Sequence, residues 1–203
     1  MVTLEVPEYQ VAEEIEIEPS ETALVVVDMQ VDFVEAGGAL PVRAARETVP
    51  KIRALVAGFR SRAMPVIFTL DSHRQGDPEF AVWGRHVLEG SPGEAIISEL
   101  RPEPGDIVVK KTRYDAFYGT DLDRRLREMG VKALVIVGTV ANICVHYTTA
   151  SAAIRWYRVI CPVDCVSALT EFDRHIHLRQ TAYLFQGVLT TSGAILNGLG
   201  VGG

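Results

Sequence analysis

Six short apolar runs rich in β-branched residues recur along the chain with helix-sized spacers between them, and this repetition restricts the fold more than any other feature. They are Ala23–Asp28, Val66–Leu70, Ile107–Val109, Ala133–Val137, Val159–Val163 and, more weakly, Gly187–Thr191. Within each run the apolar residues are continuous rather than alternating. That is the pattern of strands buried on both faces, and hence of a parallel sheet covered by helices. The spacers Ala44–Arg62, Asp121–Met129, Ile143–Tyr157 and Asp173–Phe185 carry amphipathic periodicity, and Gly130 suits a helix C-cap. The expected fold is α/β, a three-layer α/β/α sandwich whose mostly parallel sheet has about six strands. We read 21–203 as one domain and 1–20 as an N-terminal extension, the 203-residue length being enough for one substantial core.

Charge and hydropathy exclude several partners. Twenty Lys and Arg against 26 Asp and Glu give a net charge of -6, and no basic run is dense enough to follow a phosphate backbone, so nucleic acid is not an expected partner. The apolar runs fall far short of the roughly 20 residues that cross a bilayer, so no membrane partner is expected either. The acidic start, with Pro7 and Pro19, lacks the basic and apolar regions of a secretory signal, and we expect a cytoplasmic protein. Three cysteines, Cys144, Cys161 and Cys165, cannot all pair, which raises the question whether one is a nucleophile.

In a parallel sheet the ligand site lies beyond the carboxyl ends of the strands. Asp28 ends the first run, Asp71 and His73 follow the second, Lys111 follows the third, and Gly138 to Cys144 follow the fourth. A carboxylate, an ammonium and a thiol brought to one crevice form a coherent set, because the ammonium stabilises a thiolate and the carboxylate can take the thiol proton. Cys144 also stands where a helix should begin, so unpaired N–H groups would favour the thiolate and could hold an oxyanion. Taken singly, each residue has an ordinary reading: a core thiol, a turn acid, one of 20 cations. Their joint placement after successive strands is what singles them out. Cys161 and Cys165, in and just after a strand core, read as structural, and His146, His175 and His177 as surface or packing residues.

The stretch Asp71–Pro104 is long, polar and rich in Gly and Pro, with only a short helical piece expected near Ile96. Asp71 and His73 sit at i and i+2 on one side of an extended chain, and His86 follows at loop distance. Such an Asp/His/His set suits zinc, manganese or iron(II).

The segments Val25–Phe33 (VVVDMQVDF), Lys111–Gly119 (KTRYDAFYG) and Gly138–Val145 (GTVANICV) resemble, in order and over most of the chain, the isochorismatase-like cysteine hydrolase superfamily. Within it, Asp71-Ser-His73, Trp83-Gly-Arg-His86 and Gly90–Gly93 (GSPG) resemble the nicotinamidase branch. The resemblance implies Cys144 as nucleophile, Asp28 as acid/base and Lys111 as the thiolate-stabilising residue. It implies a non-proline cis peptide between Thr139 and Val140, aiming the N–H groups of Val140 and Cys144 at the oxyanion. It further implies a divalent metal, zinc first and manganese or iron otherwise, on Asp71, His73 and His86. Phe33 and Trp83 would sandwich the substrate, with Tyr114 beside them, and the chain would form a dimer or tetramer. Two positions depart from the branch. Lys111 precedes Tyr114 by only three residues, which leaves Lys110 as an alternative, and Ala141 replaces a hydroxyl residue. The activity implied first is hydrolysis of nicotinamide to nicotinate and ammonia through a cysteine thioester. The alternatives are a metal-free hydrolase of carbamoyl or ureido amides and, from another class, a noncatalytic binding protein on the same fold. A vinyl-ether hydrolase is disfavoured because that branch generally does without the cysteine.

Overall fold

Each apolar run becomes a strand, and all pair in parallel. The computed structural model describes residues 5–201. The strands are β1 (Thr22–Val27), β2 (Val66–Asp71), β3 (Ile107–Lys111), β4 (Ala133–Thr139), β5 (Arg158–Pro162), β6 (Val166–Ser167) and β7 (Val188–Thr190). They form one sheet of order β3-β2-β1-β4-β5-β7, with β6 paired to the carboxyl end of β4. The sheet therefore has seven strands. The extra one, β6, is two residues long and exists only through its pairing with Gly138 and Thr139, so it leaves no periodic signal. β1 and β4 are buried along their whole length, as continuous apolar runs require. Each fully buried Leu, Ile or Val, such as Leu24 or Ile136, contributes roughly 1.5–3 kcal/mol relative to exposure. The edge strand β3 alternates instead, with Val108 and Lys110 facing solvent and Val109 and Lys111 facing in.

Helices cover both faces. α1 (Val31–Val34) and α3 (Phe80–Trp83) are single turns, too short to show periodicity; α2 (Ala45–Ser61), α4 (Leu122–Glu128), α5 (His146–Ile154), α6 (Glu171–Tyr183) and α7 (Ser192–Gly198) complete the set. α2 packs with α7 against one face of the sheet, and α5 with α6 against the other. The helix expected over Ile143–Tyr157 divides into a π-helical turn, Ala141–Val145, followed by α5. Near Ile96 there is no α-helix: Ile96 lies between 3-10 turns at Pro92–Glu94 and Ser98–Leu100 and bridges Gln30.

Part of the N-terminal segment is built into the fold. The Ala12 N–H donates to the Leu189 carbonyl at 2.8 Å, Thr190 Oγ1 donates to the Ala12 carbonyl at 2.7 Å, and Ile15 and Ile17 are buried. Residues 1–4 of the expected extension lie outside the described residues. No helix among those described is long and apolar enough to cross a membrane.

Gly138 is where β1 and β4 press together. It pairs with Val27, has φ +117°, and a Cβ there would fall 2.1 Å from the Val27 carbonyl oxygen. Gly138→Ala is expected to cost about 3 kcal/mol or more, or to prevent folding, whereas Gly37→Ala, with open space around it, should stay within about 0.5 kcal/mol of the parent. Urea unfolding measures both; equal midpoints for the two variants would refute the close-approach argument.

Candidate active site

The chain runs outward from β1 to β2 and β3, then returns to place β4 on the other side of β1. This reversal opens a crevice at the carboxyl ends of β1 and β4. Asp28 follows β1 directly, with φ +49°, and Cys144 lies in the π-helical turn after β4. Asp71 and Lys111 close β2 and β3 and are paired in register. Because β3 alternates, Lys111 enters the site while Lys110 turns outward to Glu94 Oε1 at 3.0 Å.

The Lys111 ammonium lies 2.7 Å from Asp28 Oδ2, 3.2 Å from Asp71 Oδ1 and 3.8 Å from Cys144 Sγ, all in buried surroundings. Thr69 Oγ1 donates to Asp28 Oδ1 at 2.5 Å and accepts the Asp28 N–H at 3.1 Å. Burial alone would lower the Lys111 pKa, but Asp28, Cys144 and Asp71 carry it above its ordinary value. Burial pushes the Cys144 thiol well up; Lys111 opposes this, and Asp28 and Asp71 add to it. Burial likewise raises Asp28, against the pull of Lys111. One ammonium shared by two carboxylates does not hold a resting thiolate. The balance favours the Cys144 thiol over a thiolate, unlike the expectation from a helix start alone, and Asp28, 2.7 Å from the same ammonium, is placed to take its proton.

On the other side of Asp71 lies a second cluster. Asp71, His73, Glu79 and His86 are all buried, and one ligand atom from each lies within 4.8 Å of the others. His73 Nε2 is 3.2 Å from Asp71 Oδ2 and 3.8 Å from Glu79 Oε1. His86 Nδ1 is 2.8 Å from the Gly84 carbonyl, a partner that leaves Nε2 free to ligate. Burial and the Asp71 charge raise Glu79, so a cation between the two carboxylates would relieve a real repulsion. Two carboxylates and two imidazoles can hold a divalent ion of the zinc, manganese or iron(II) type.

A cavity of about 190 Å³ is lined by residues of both clusters, Cys144 with Thr139 and Val140, and Asp71 with Glu79 and His86. Phe33, Trp83 and Tyr114 line it, and Trp83 Nε1 donates to the Tyr114 hydroxyl at 2.8 Å. The Thr139–Val140 peptide is cis.

The Isochorismatase domain family model matches residues 22–193. The chain belongs to this family. Ureidoacrylate amidohydrolase RutB of Agrobacterium fabrum is 33% identical over 166 residues, 69% of this chain and 73% of that protein. N-carbamoylsarcosine amidase from Thermoplasma acidophilum superposes with a TM-score of 0.79 at 38% identity, covering 85% of this chain and 96% of that one. Nicotinamidase PncA from Bacillus subtilis superposes with a TM-score of 0.80 at 27% identity, covering 84% and 99%. The similarity thus spreads over several branches of the isochorismatase family and does not single out the nicotinamidase branch.

Within this isochorismatase-domain protein, the residues singled out in the sequence converge on the cavity and the ion-paired cluster beneath it. Cys161 and Cys165 stay in the core, where burial pushes Cys161 up to about 12 and Cys165 higher still. His177 is buried against Cys161 and His146, and burial lowers it to about 3; His175 bonds the Tyr9 hydroxyl at 2.6 Å. Three contributors escaped the sequence reading. Glu79 is one acid among several in a loop. Thr69 looks like an ordinary strand residue. Gln30 donates to the Asp71 and Glu94 carbonyls and accepts the Asp71 N–H, at 2.8, 2.7 and 2.9 Å, a clamp with no sequence signature.

The protein is expected to take up about one zinc ion per chain, and His86→Ala to weaken uptake by more than roughly 100-fold, since even outer partners of metal ligands are worth 10–100-fold. Competition with a chromophoric chelator measures this; wild-type affinity in His86→Ala would remove His86 from the ligand set.

Proposed function

We propose that this protein is a cysteine amidohydrolase that cleaves the C–N bond of a small carbamoyl or ureido compound. The observation that carries the reading is the Cys144 thiol on the cavity wall, 3.8 Å from the Lys111 ammonium, which itself lies 2.7 Å from Asp28. Sequence similarity supports the branch: identity is 38% to the carbamoylsarcosine amidase and 27% to the nicotinamidase.

In this mechanism Asp28 takes the Cys144 proton as sulfur attacks the carbamoyl carbon, and Lys111 stabilises the developing thiolate. The N–H groups of Val140 and Cys144 receive the oxyanion. Asp28 returns the proton to the departing nitrogen, ammonia leaves, and an S-carbamoyl cysteine remains. A water molecule, deprotonated by Asp28, then releases the carbamate and restores the thiol. Phe33, Trp83 and Tyr114 hold the body of the substrate. A divalent ion on Asp71, His73, Glu79 and His86 would supply Lewis-acid affinity for a donor atom at the end of the substrate remote from the thiol.

That four-residue cluster beside Phe33 and Trp83 favours a second reading, hydrolysis of nicotinamide by the same cysteine chemistry. Ammonia release from ureido acids and their esters, N-carbamoyl amino acids and nicotinamide, with metal content determined on the same sample, separates the two. Turnover of a carbamoyl or ureido compound is expected, with Cys144→Ala at least about 10⁴-fold slower. Turnover confined to nicotinamide and abolished by chelation would replace the first reading with the second. Thr69→Val should lower kcat/KM by about 10–100-fold, the worth of one hydrogen bond to a charged group, while Thr69→Ser retains most of the activity. Equal rates for the two variants would show that Thr69 does not position Asp28.

A further inference from the structure

The cavity has no cation to offer an anionic substrate. Its polar lining is Asp71, Glu79, His86, Tyr114, Thr139 and Cys144, and among the described residues no Lys or Arg lines it. Lys111 lies beneath, already held by Asp28, Asp71 and Cys144 at 2.7, 3.2 and 3.8 Å. Arg113, beside the acidic cluster, is 3.1 Å from Asp77 and 3.7 Å from Glu79. Four carboxylates, Asp28, Asp71, Asp77 and Glu79, thus face two permanent cations around the site, leaving it formally two charges negative with His73, which contacts Asp71, Asp77 and Glu79, counted as neutral. A divalent ion would bring this balance to neutrality and not beyond. A substrate carboxylate would lose its hydration in the cavity and meet Asp71 and Glu79, with no Lys or Arg on the lining to pair with it.

We propose that the substrate carries its carbamoyl group on an uncharged body, and that compounds with a free carboxylate on the same skeleton are rejected. This deepens the reading of Cys144 as the attacking group. It also separates the chain from relatives whose named substrates are acids: the reaction would be shared, and the recognition of the far end of the substrate would not.

Two alkylating agents that differ in this charge test the idea without a known substrate. Iodoacetamide and iodoacetate each transfer their CH₂ carbon to a thiol sulfur, which loses its proton as iodide leaves. Their relative rates at Cys144, located by peptide mass mapping and divided by their relative rates with 2-mercaptoethanol at the same pH, report how the cavity treats a neutral amide against a carboxylate. The protein is measured as purified and after chelation. At least a tenfold preference for iodoacetamide is expected in both, and Glu79→Gln should reduce it severalfold while the surface variant Glu128→Gln leaves it intact. A ratio no greater than that of 2-mercaptoethanol, or a preference seen only after chelation, overturns the proposal. Paired substrates keep its failure distinct from that of the functional reading. If ureido acids and their methyl esters are hydrolysed equally well, the charge proposal falls and the amidohydrolase reading stands. If neither is hydrolysed while the alkylation preference holds, the charge proposal stands and the ureido reading falls.

Discussion

A single buried ammonium holds the site together. Lys111 closes β3, Asp71 closes β2 and Asp28 follows β1, and the 2.7 and 3.2 Å contacts of Lys111 tie the ends of all three strands to one charge. None of these groups is tolerable there alone. Breaking a buried pair by removing one partner leaves an uncompensated charge that costs about 3–5 kcal/mol, so the carboxylates need the lysine as much as the thiol does. The parallel register supplies the geometry: Asp71 and Lys111 are direct partners across β2 and β3, and no loop has to fold for them to meet.

Asp71 joins this set to the second cluster. Its Oδ1 faces Lys111 and its Oδ2 faces His73, so one carboxylate serves the thiol side and the candidate metal side together. The structure holds it accordingly. Gln30 grips the Asp71 backbone N–H and carbonyl. Asp32, next to Phe33, accepts the N–H of Val87, next to His86, at 2.7 Å. The wall that carries Asp71 and His86 is therefore held by side chains outside the cavity lining. Positioning of this kind is where much of an enzyme's rate enhancement originates.

The strands and long helices were legible because burial on two faces writes a continuous apolar run and burial on one face writes an amphipathic stripe. β1 was expected at 23–28 and lies at Thr22–Val27, and α2 was expected at 44–62 and lies at Ala45–Ser61. Asp28, Lys111 and Cys144 were legible because a parallel sheet delivers whatever follows each strand to one edge. What escaped depends on pairing or on loop shape. β6 exists through two contacts with β4. Glu79 reaches His73 only because the turn at Asp77 and the single-turn helix α3 fold the loop back. Thr69 matters because a neighbouring strand places it under Asp28. Which of Lys110 and Lys111 faces inward depends on the alternation of β3, and β3 alternates because the strand order leaves it at the sheet edge.

The resting protonation of Cys144 shows why residue types alone do not settle the chemistry. A lysine near a cysteine suggests a thiolate, yet here the lysine already neutralises two carboxylates, and burial outweighs what remains of its pull. In the proposed mechanism the thiol gives up its proton as it attacks, and Asp28, which shares Lys111 with it, is the acceptor. Asp28 itself is raised by burial, which in that mechanism would make it a better base than an exposed aspartate and a competent acid for the leaving nitrogen afterwards. A site built this way buries the Cys144 thiol beside the Lys111–Asp28 pair. It also ties the basicity of Asp28 to the number of carboxylates sharing Lys111, so the candidate metal ligand Asp71 contributes to the chemistry through charge even though it makes no contact with the sulfur.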